Sequence, residues 1–115
     1  MKTGHYTDVA PEKAAMPGAQ AWIRWIITAK DGAPLFTMRV IELLDRGNII
    51  PLHSHPYEHE IFVIEGRGKA LYDGGEHAVG VGDFVYVEPG EQHGFENGGD
   101  VPFRFICVIP NPKSA

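Results

Sequence analysis

The residues best suited to chemistry in this 115-residue chain are its histidines, because five of the six lie in the span from His53 to His93. Neutral imidazole nitrogens are common ligands of divalent transition metals. In the segment Pro51–Pro56, His53 and His55 are separated by one residue, so both side chains point to the same face of an extended strand. This spacing allows two imidazoles to bind one ion.

A third ligand is available a few residues further along the chain. Pro56 cannot donate a ladder hydrogen bond, so it is expected to end the strand. A turn at Tyr57–Glu58 would then direct either His59 or Glu60 back toward the same face. Since neighbouring residues of a strand face opposite ways, only one of these two side chains can reach the ion.

A fourth histidine follows a second turn. Pro89–Gly90 predicts a tight turn that presents His93 at the mouth of another hairpin. Together with the positions above, His93 completes a candidate metal site. His5 and His77 have no neighbour at ligand spacing, so we expect them to be surface residues.

The elements that position these ligands are predicted to be strands. Short runs rich in Val, Ile, Phe, Tyr and Trp are separated by Gly and Pro, which is typical of strands joined by turns. The predicted strands are Ala21–Thr28, Phe36–Asp45, Asn48–His53, Ile61–Glu65, Lys69–Tyr72, Glu76–Val79, Phe84–Val87, Gly94–Glu96 and Phe103–Ile109. Many short strands in one domain indicate an all-β sandwich or closed barrel, since open sheet edges promote aggregation. We expect a loosely attached N-terminal arm over residues 1–20 and a single β-barrel domain over 21–115.

Composition narrows the class of protein further. The formal net charge of −5 and the lack of a Lys/Arg cluster argue against a nucleic-acid partner, which would require phosphate neutralisation. No apolar run is long enough for a signal peptide or a membrane span, so we expect a cytoplasmic protein without a membrane partner. Cys107 is the only cysteine, which precludes an intramolecular disulfide.

The spacing of these histidines and glycines resembles the two sequence motifs of the cupin superfamily. The first motif is matched by Gly47-x5-His53-x-His55-x3-His59-x6-Gly66, and the second by Gly82 followed by Gly90-x2-His93-x3-Asn97. The resemblance covers roughly residues 36 to 109 and implies a double-stranded β-helix, or jelly-roll, barrel. The chain departs from the family at His59, where a glutamate is common, and at Glu88, where a proline often stands.

The resemblance also implies how the metal site is composed. Six residues separate His59 from Gly66, which is the usual register of the motif, whereas the rival ligand Glu60 leaves five. The chain is therefore most similar to compact bacterial monocupins with four histidine ligands, and this similarity implies one divalent ion of manganese or iron. Ligand softness alone favours zinc, copper, nickel or iron at imidazole nitrogens, so nickel, zinc and copper stay open.

Four residues are candidates for the substrate pocket. Phe95 shares a strand face with His93. Phe105 and Cys107 lie on the last strand, which often lines the cavity of compact cupins, although core packing is the alternative role for all three. Arg39 interrupts an apolar strand, where it either offers a carboxylate-binding fork at the pocket mouth or faces solvent.

Three functions are compatible with such a site. The first is a dioxygenase-type oxidoreductase that acts on a small organic substrate. The second is a non-redox lyase or isomerase that uses the ion as a Lewis acid. The third is a non-catalytic module that binds a small molecule.

The aromatic and aliphatic residues of the predicted strands also bear on assembly. Trp22, Trp25, Phe62 and Ile64 exceed what a core of this size needs, so we expect a homodimer of the kind that compact cupins commonly form. In such a dimer the N-terminal strands would pack on the partner's sheet.

Overall fold

The computed structural model describes residues 1–112, which contain ten β-strands, two short 3-10 helices (Tyr6–Asp8 and Ala29–Asp31) and no α-helix. The strands are β1 (Glu12–Lys13), β2 (Trp22–Ile27), β3 (Phe36–Leu43), β4 (Ile49–His53), β5 (His59–Glu65), β6 (Arg67–Tyr72), β7 (Gly75–Gly80), β8 (Phe84–Val87), β9 (His93–Asn97) and β10 (Phe103–Pro110). Within these 112 residues, no helix has the length and hydropathy that crossing a membrane requires.

Two antiparallel sheets face each other. The larger has six strands in the order β1-β2-β3-β10-β5-β8, and the smaller has four in the order β4-β9-β6-β7. Consecutive strands alternate between the sheets at several points, as in a jelly roll, so the predicted all-β, single-domain architecture is confirmed. All nine predicted strands are present with ends within two residues of those expected, and the short β1 is an addition.

Strand β10 shows why the sequence folds this way. It pairs with β3 on one side and β5 on the other, so it lies in the middle of the larger sheet. Its buried positions alternate with half-buried ones, and Phe103, Phe105, Cys107 and Ile109 are all buried. This period of two places one face of the strand against the smaller sheet.

Aromatic rings fill the centre of the sandwich. The ring of Phe105 lies 4.7 Å from that of Phe95, measured between centroids, and 5.3 Å from that of Phe103. Aliphatic side chains from both sheets surround them, and such offset aromatic packing contributes to a unique core arrangement. The same contacts fix the relative position of β9 and β10, which carry candidate site residues.

Two residues of the family-like motifs are structural. Gly66 has φ +73°, and a Cβ atom there would overlap the carbonyl oxygen of Pro102, so only glycine fits. The side-chain nitrogen Nδ2 of Asn97, a fully buried residue, donates to the carbonyl oxygens of Leu43 and Val101. Both residues hold loops of the barrel in place, and neither belongs to the candidate metal site.

The first twenty residues contact the body of the sandwich at several points. Strand β1 pairs with β2, and the backbone amide of Gln20 donates to the carbonyl of Ile49. Arg24 donates to the carbonyl of Val9 over 2.7 Å and lies 5.6 Å from the ring centroid of Tyr6. The division into an arm over 1–20 and a barrel over 21–115 stays a prediction, and residues 113–115 lie outside the described part of the chain.

Candidate metal centre

The four candidate ligands come from different parts of the sandwich. His53 ends β4 and is the direct cross-strand partner of His93, the first residue of β9, in the smaller sheet. His59 begins β5 in the larger sheet, and His55 lies in the loop that joins β4 to β5. The site therefore lies where the two sheets meet.

The four imidazole rings lie close together. Ring centroids are 4.2 Å apart for His53 and His93, 4.7 Å for His53 and His55, and 4.9 Å for both His55–His59 and His59–His93. In the tightest group, one nitrogen each from His53, His55 and His93 lies within 4.8 Å of the others. His59 does not belong to that group of three, although its ring packs against two of its members.

The hydrogen bonds of two rings fix which nitrogen is free to bind a metal. Nδ1 of His53 lies 2.8 Å from the carbonyl oxygen of Pro51, and Nδ1 of His93 lies 2.8 Å from that of Glu91. A carbonyl oxygen only accepts, so Nδ1 carries the proton in each ring and Nε2 keeps its lone pair. Such a bond on the far nitrogen is typical of metal-ligating histidines.

Two of the ring nitrogens have no partner in the folded chain. Nε2 of His59 and Nε2 of His93 are buried, and neither has a hydrogen-bond partner within the described residues. A buried polar atom without a partner costs free energy, so binding of a metal ion by these nitrogens would remove that cost. The donor set and these two free nitrogens fit a divalent transition-metal ion.

The two candidates for the third ligand, His59 and Glu60, lie on opposite sides of β5. His59 is buried, whereas Glu60 is exposed on the opposite side of the strand. Nδ1 of His59 lies 3.3 Å from Sγ of Cys107 on β10. Of the two residues that could have supplied the third ligand, only His59 faces the other three imidazoles.

The rings are held in the form that binds metals. Burial lowers the pKa of His59 to about 3, and the positive charge of Arg39 acts in the same direction. Burial, followed by repulsion from His53, lowers the pKa of His55 to about 4. The pKa of His93 is also lowered by burial, so these imidazoles are neutral at neutral pH.

A cavity of about 140 Å³ opens beside the imidazoles. Arg39, Phe95, Phe105 and Cys107, the pocket candidates from the sequence, all line it. Sequence reasoning missed the remaining lining residues, which are Ala14, Ala15, Met16, Ala19, Ala21, Ile23, Ile41, Ile50 and Tyr57. Except for Tyr57, which lies between two of the histidines in sequence, no local pattern marked them.

Arg39 lies at the wall of this cavity, and its guanidinium contacts two side chains. Nη2 of Arg39 donates to Sγ of Cys107 over 3.0 Å, and the guanidinium carbon lies 5.5 Å from the ring centroid of Trp25. Nε of Arg39 is buried and has no partner among the described residues. Burial raises the pKa of the Cys107 thiol, whereas the contact with Arg39 opposes that rise.

The sequence and the fold agree with one family. A model of the cupin domain matches residues 40–109, which is more than half of the chain, and the chain therefore belongs to the cupin domain family. An uncharacterized protein of Methanocaldococcus jannaschii is 38% identical over 64 residues, covering 55% of this chain and 51% of that protein. The chain thus spans about half the length of this curated relative.

Solved structures share the whole fold. The polyketide cyclase RemF from Streptomyces resistomycificus superposes with a TM-score of 0.89 at 36% identity, covering 96% of this chain and 79% of RemF. A Thermotoga maritima protein described as a predicted oxalate decarboxylase has a TM-score of 0.80 at 20% identity, covering 96% of this chain and 99% of that chain. The second likeness concerns the fold alone.

Proposed function

We propose that His53, His55, His59 and His93 hold one divalent transition-metal ion in a mononuclear site. The convergence of four imidazoles with two buried, unpartnered Nε2 atoms is the observation that carries this proposal. A metal held only by these neutral ligands would keep its full charge and would supply Lewis acidity toward a carbonyl group. The family resemblance favours manganese or iron, and the imidazole donors also suit zinc, nickel and copper.

Elemental analysis of matched variants tests the ligand set. We expect about one metal ion per chain in the wild type, a large loss in His59→Ala, and full occupancy in Glu60→Ala, because Glu60 is exposed on the other side of β5. Both variants are measured after loading with the same metal and desalting. Full metal in His59→Ala together with loss in Glu60→Ala would overturn the assignment.

We further propose that the protein is a non-redox enzyme that closes a ring within a small, carbonyl-rich substrate. Support comes from the extended likeness to the polyketide cyclase RemF at 36% identity. In such a condensation a carbon atom next to one carbonyl attacks a second carbonyl carbon, and the resulting hydroxyl group leaves as water. No oxidant is needed, so this chemistry agrees with a Lewis-acid site.

The cavity suits a compact reactant. Its volume of about 140 Å³ is close to that of an apolar cavity that holds a single benzene ring. Phe95 and Phe105 form an apolar wall that excludes water and holds a folded chain near the imidazoles. A larger substrate would place only its reacting end in the cavity.

Conversion of diacetylacetone to orcinol is a direct test, because this ring closure releases one water molecule and involves no oxidation. We expect orcinol to form anaerobically with zinc-loaded protein, and to form more slowly than wild type in His59→Ala and His93→Ala. A reaction that needs dioxygen would instead support the oxidoreductase hypothesis. Binding of diacetylacetone without turnover under either condition would support a non-catalytic binding module.

We also propose that the chain forms a homodimer through the outer face of the larger sheet. Phe62 and Phe84 are cross-strand partners with 48% and 80% of their surfaces exposed, and Tyr86 on the same face is 53% exposed. Contiguous exposed aromatic residues of this kind are typical of interfaces. Trp25, by contrast, donates to Glu12 and packs on Arg39 of the same chain.

Light scattering during size-exclusion chromatography tests the dimer. We expect twice the mass of one chain for the wild type and the mass of one chain for Phe62→Lys/Phe84→Lys. Leu52→Ser, which removes an exposed aliphatic residue from β4 in the smaller sheet, is the matched control and should remain dimeric. A monomeric wild type contradicts the proposal.

A further inference from the structure

The cavity contains a cation without a counter-ion in the described chain. No Asp or Glu lines the cavity, and no carboxylate lies within ion-pair distance of Arg39 in residues 1–112. The other two arginines that are mostly buried, Arg24 and Arg104, both pair with Glu42. Buried charges in proteins are normally paired, and Arg39 is an exception to that rule.

The groups that contact Arg39 do not neutralise it. Sγ of Cys107 accepts from Nη2, which is a weak bond to a neutral thiol, and the face of Trp25 attracts the cation without carrying a charge. The buried Nε of Arg39 is left without any acceptor among the described residues. A guanidinium that lines a cavity and pairs with no carboxylate is complementary to a planar pair of oxygens on a ligand.

The position of Arg39 connects it to the metal centre. Cys107 touches both the guanidinium of Arg39 and Nδ1 of His59, so the cation and the imidazole cluster share one wall of the cavity. A bound divalent metal would add further positive charge at the other side. Small-molecule sites of this kind favour a ligand whose negative charge meets both cations.

We propose that Arg39 binds an oxyanion of the substrate, and that the substrate is a compact molecule carrying a carboxylate or an ionised enol next to its reacting carbonyl. This inference rests on the proposed metal-dependent function and adds the charge of the substrate to it. Arg39 orients the anion, and the apolar wall encloses the rest of the molecule.

Benzoate and benzamide form a suitable pair of probes, because each carries one aromatic ring and they differ mainly in charge. With the zinc-loaded protein at neutral pH, we expect calorimetry to give at least about tenfold tighter binding of benzoate than of benzamide. In Arg39→Gln the preference for benzoate should fall several-fold, to what the metal alone supplies, while Arg46→Gln, which alters an exposed arginine paired with Asp100, should keep the full preference. Arg39→Lys retains the charge without the fork, so we expect an intermediate preference.

The outcomes distinguish failure of the proposed role of Arg39 from failure of the proposed metal centre. Equal benzoate binding by wild type and Arg39→Gln, with about one zinc per chain in both, would overturn the role of Arg39 and leave the metal site intact. Absence of zinc from both proteins would overturn the proposed metal centre, and benzoate binding that still depends on Arg39 would then support the anion site alone. Thermal unfolding of all variants confirms that each one is folded.

Discussion

Sγ of Cys107 lies 3.3 Å from Nδ1 of His59, which links the last strand of the chain to a candidate metal ligand. For Nε2 of His59 to bind a metal, Nδ1 must carry the ring proton and donate it to the sulfur. In the proposed metal site, Cys107 would therefore act as a positioning residue that fixes the tautomer and the ring orientation of His59. Its role differs from that of a nucleophile, because burial raises the pKa of its thiol.

Replacement of Cys107 should weaken metal binding without removing a ligand. In Cys107→Ala we expect metal affinity to fall by about 10-fold to 100-fold, since the acceptor for His59 is lost. Cys107→Ser keeps an acceptor and should lie closer to wild type. Competition with a chromophoric chelator measures both affinities, and the visible spectrum of the cobalt-loaded protein reports the geometry. Unchanged affinity and spectrum in Cys107→Ala would contradict the role.

Gly94 allows the strand that carries His53 to approach the strand that carries His93. A Cβ atom at Gly94 would overlap the carbonyl oxygen of Ile50 on β4. We expect Gly94→Ala to lower the free energy of unfolding by about 1–3 kcal/mol and to weaken metal binding, because β4 must move away.

Gly98→Ala is the matched control for this prediction, since its nearest contact would be an ordinary 3.7 Å to Gly68. Denaturant unfolding and metal titration of the two variants give the comparison. Equal losses in both variants would show that the approach of β4 and β9 at Gly94 has no special role.

The outer face of the larger sheet contains a buried carboxylate whose removal should affect stability alone. Glu42, only 1% exposed, accepts from both Arg24 and Arg104. Glu42→Gln should lower the free energy of unfolding by about 3 kcal/mol, because the mostly buried Arg24 loses its counter-ion and Arg104 keeps only its pair with the more exposed Glu65.

Glu65, which pairs with Arg104 but is 41% exposed, provides the control for Glu42. We expect Glu65→Gln to cost less than about 1 kcal/mol, as for exposed ion pairs. Both variants should keep full metal content, because neither residue lines the cavity beside the imidazoles. Urea unfolding measures the stability of both variants, and elemental analysis measures their metal content. A similar loss of stability in both variants would argue against the effect of burial.

Acid should destabilise the metal-free protein through its buried imidazoles. The pKa of His59 is about 3 and that of His55 about 4 in the folded chain, below the usual value of about 6.5 in an unfolded chain. Between pH 6.5 and 4 the unfolded state therefore binds protons that the folded state does not, and the free energy of unfolding falls as pH falls.

Chelator-treated wild type and His59→Gln allow this effect to be measured. We expect the stability of the wild type to be insensitive to these groups above pH 7 and to decline progressively from pH 6.5 toward 4. The variant should decline less steeply, since one of the buried bases is absent. Parallel curves for the two proteins would contradict the low folded-state pKa of His59.

The strands and much of the candidate site could be predicted because their signals are local. Alternation in Phe103–Ile109 indicates a half-buried strand, and the one-residue gap between His53 and His55 indicates a shared direction. The predicted boundary between an arm over residues 1–20 and the barrel depended on no comparable local pattern. Ala14, Met16 and Ala19 line the cavity, yet small apolar residues without periodicity give no indication of where a segment will pack.

The sequence by itself determined the all-β class, the positions of nine strands along the chain and the residue types that could bind a metal. Only the tertiary structure decided that Arg39 and Cys107, which are 68 residues apart, meet beside His59. It also decided that Glu60 faces away from the imidazoles and that Arg39 has no carboxylate partner in the described chain. The physical reason is that strand alternation fixes which side chains share a face, whereas their neighbours across the sandwich depend on sheet pairing between distant segments.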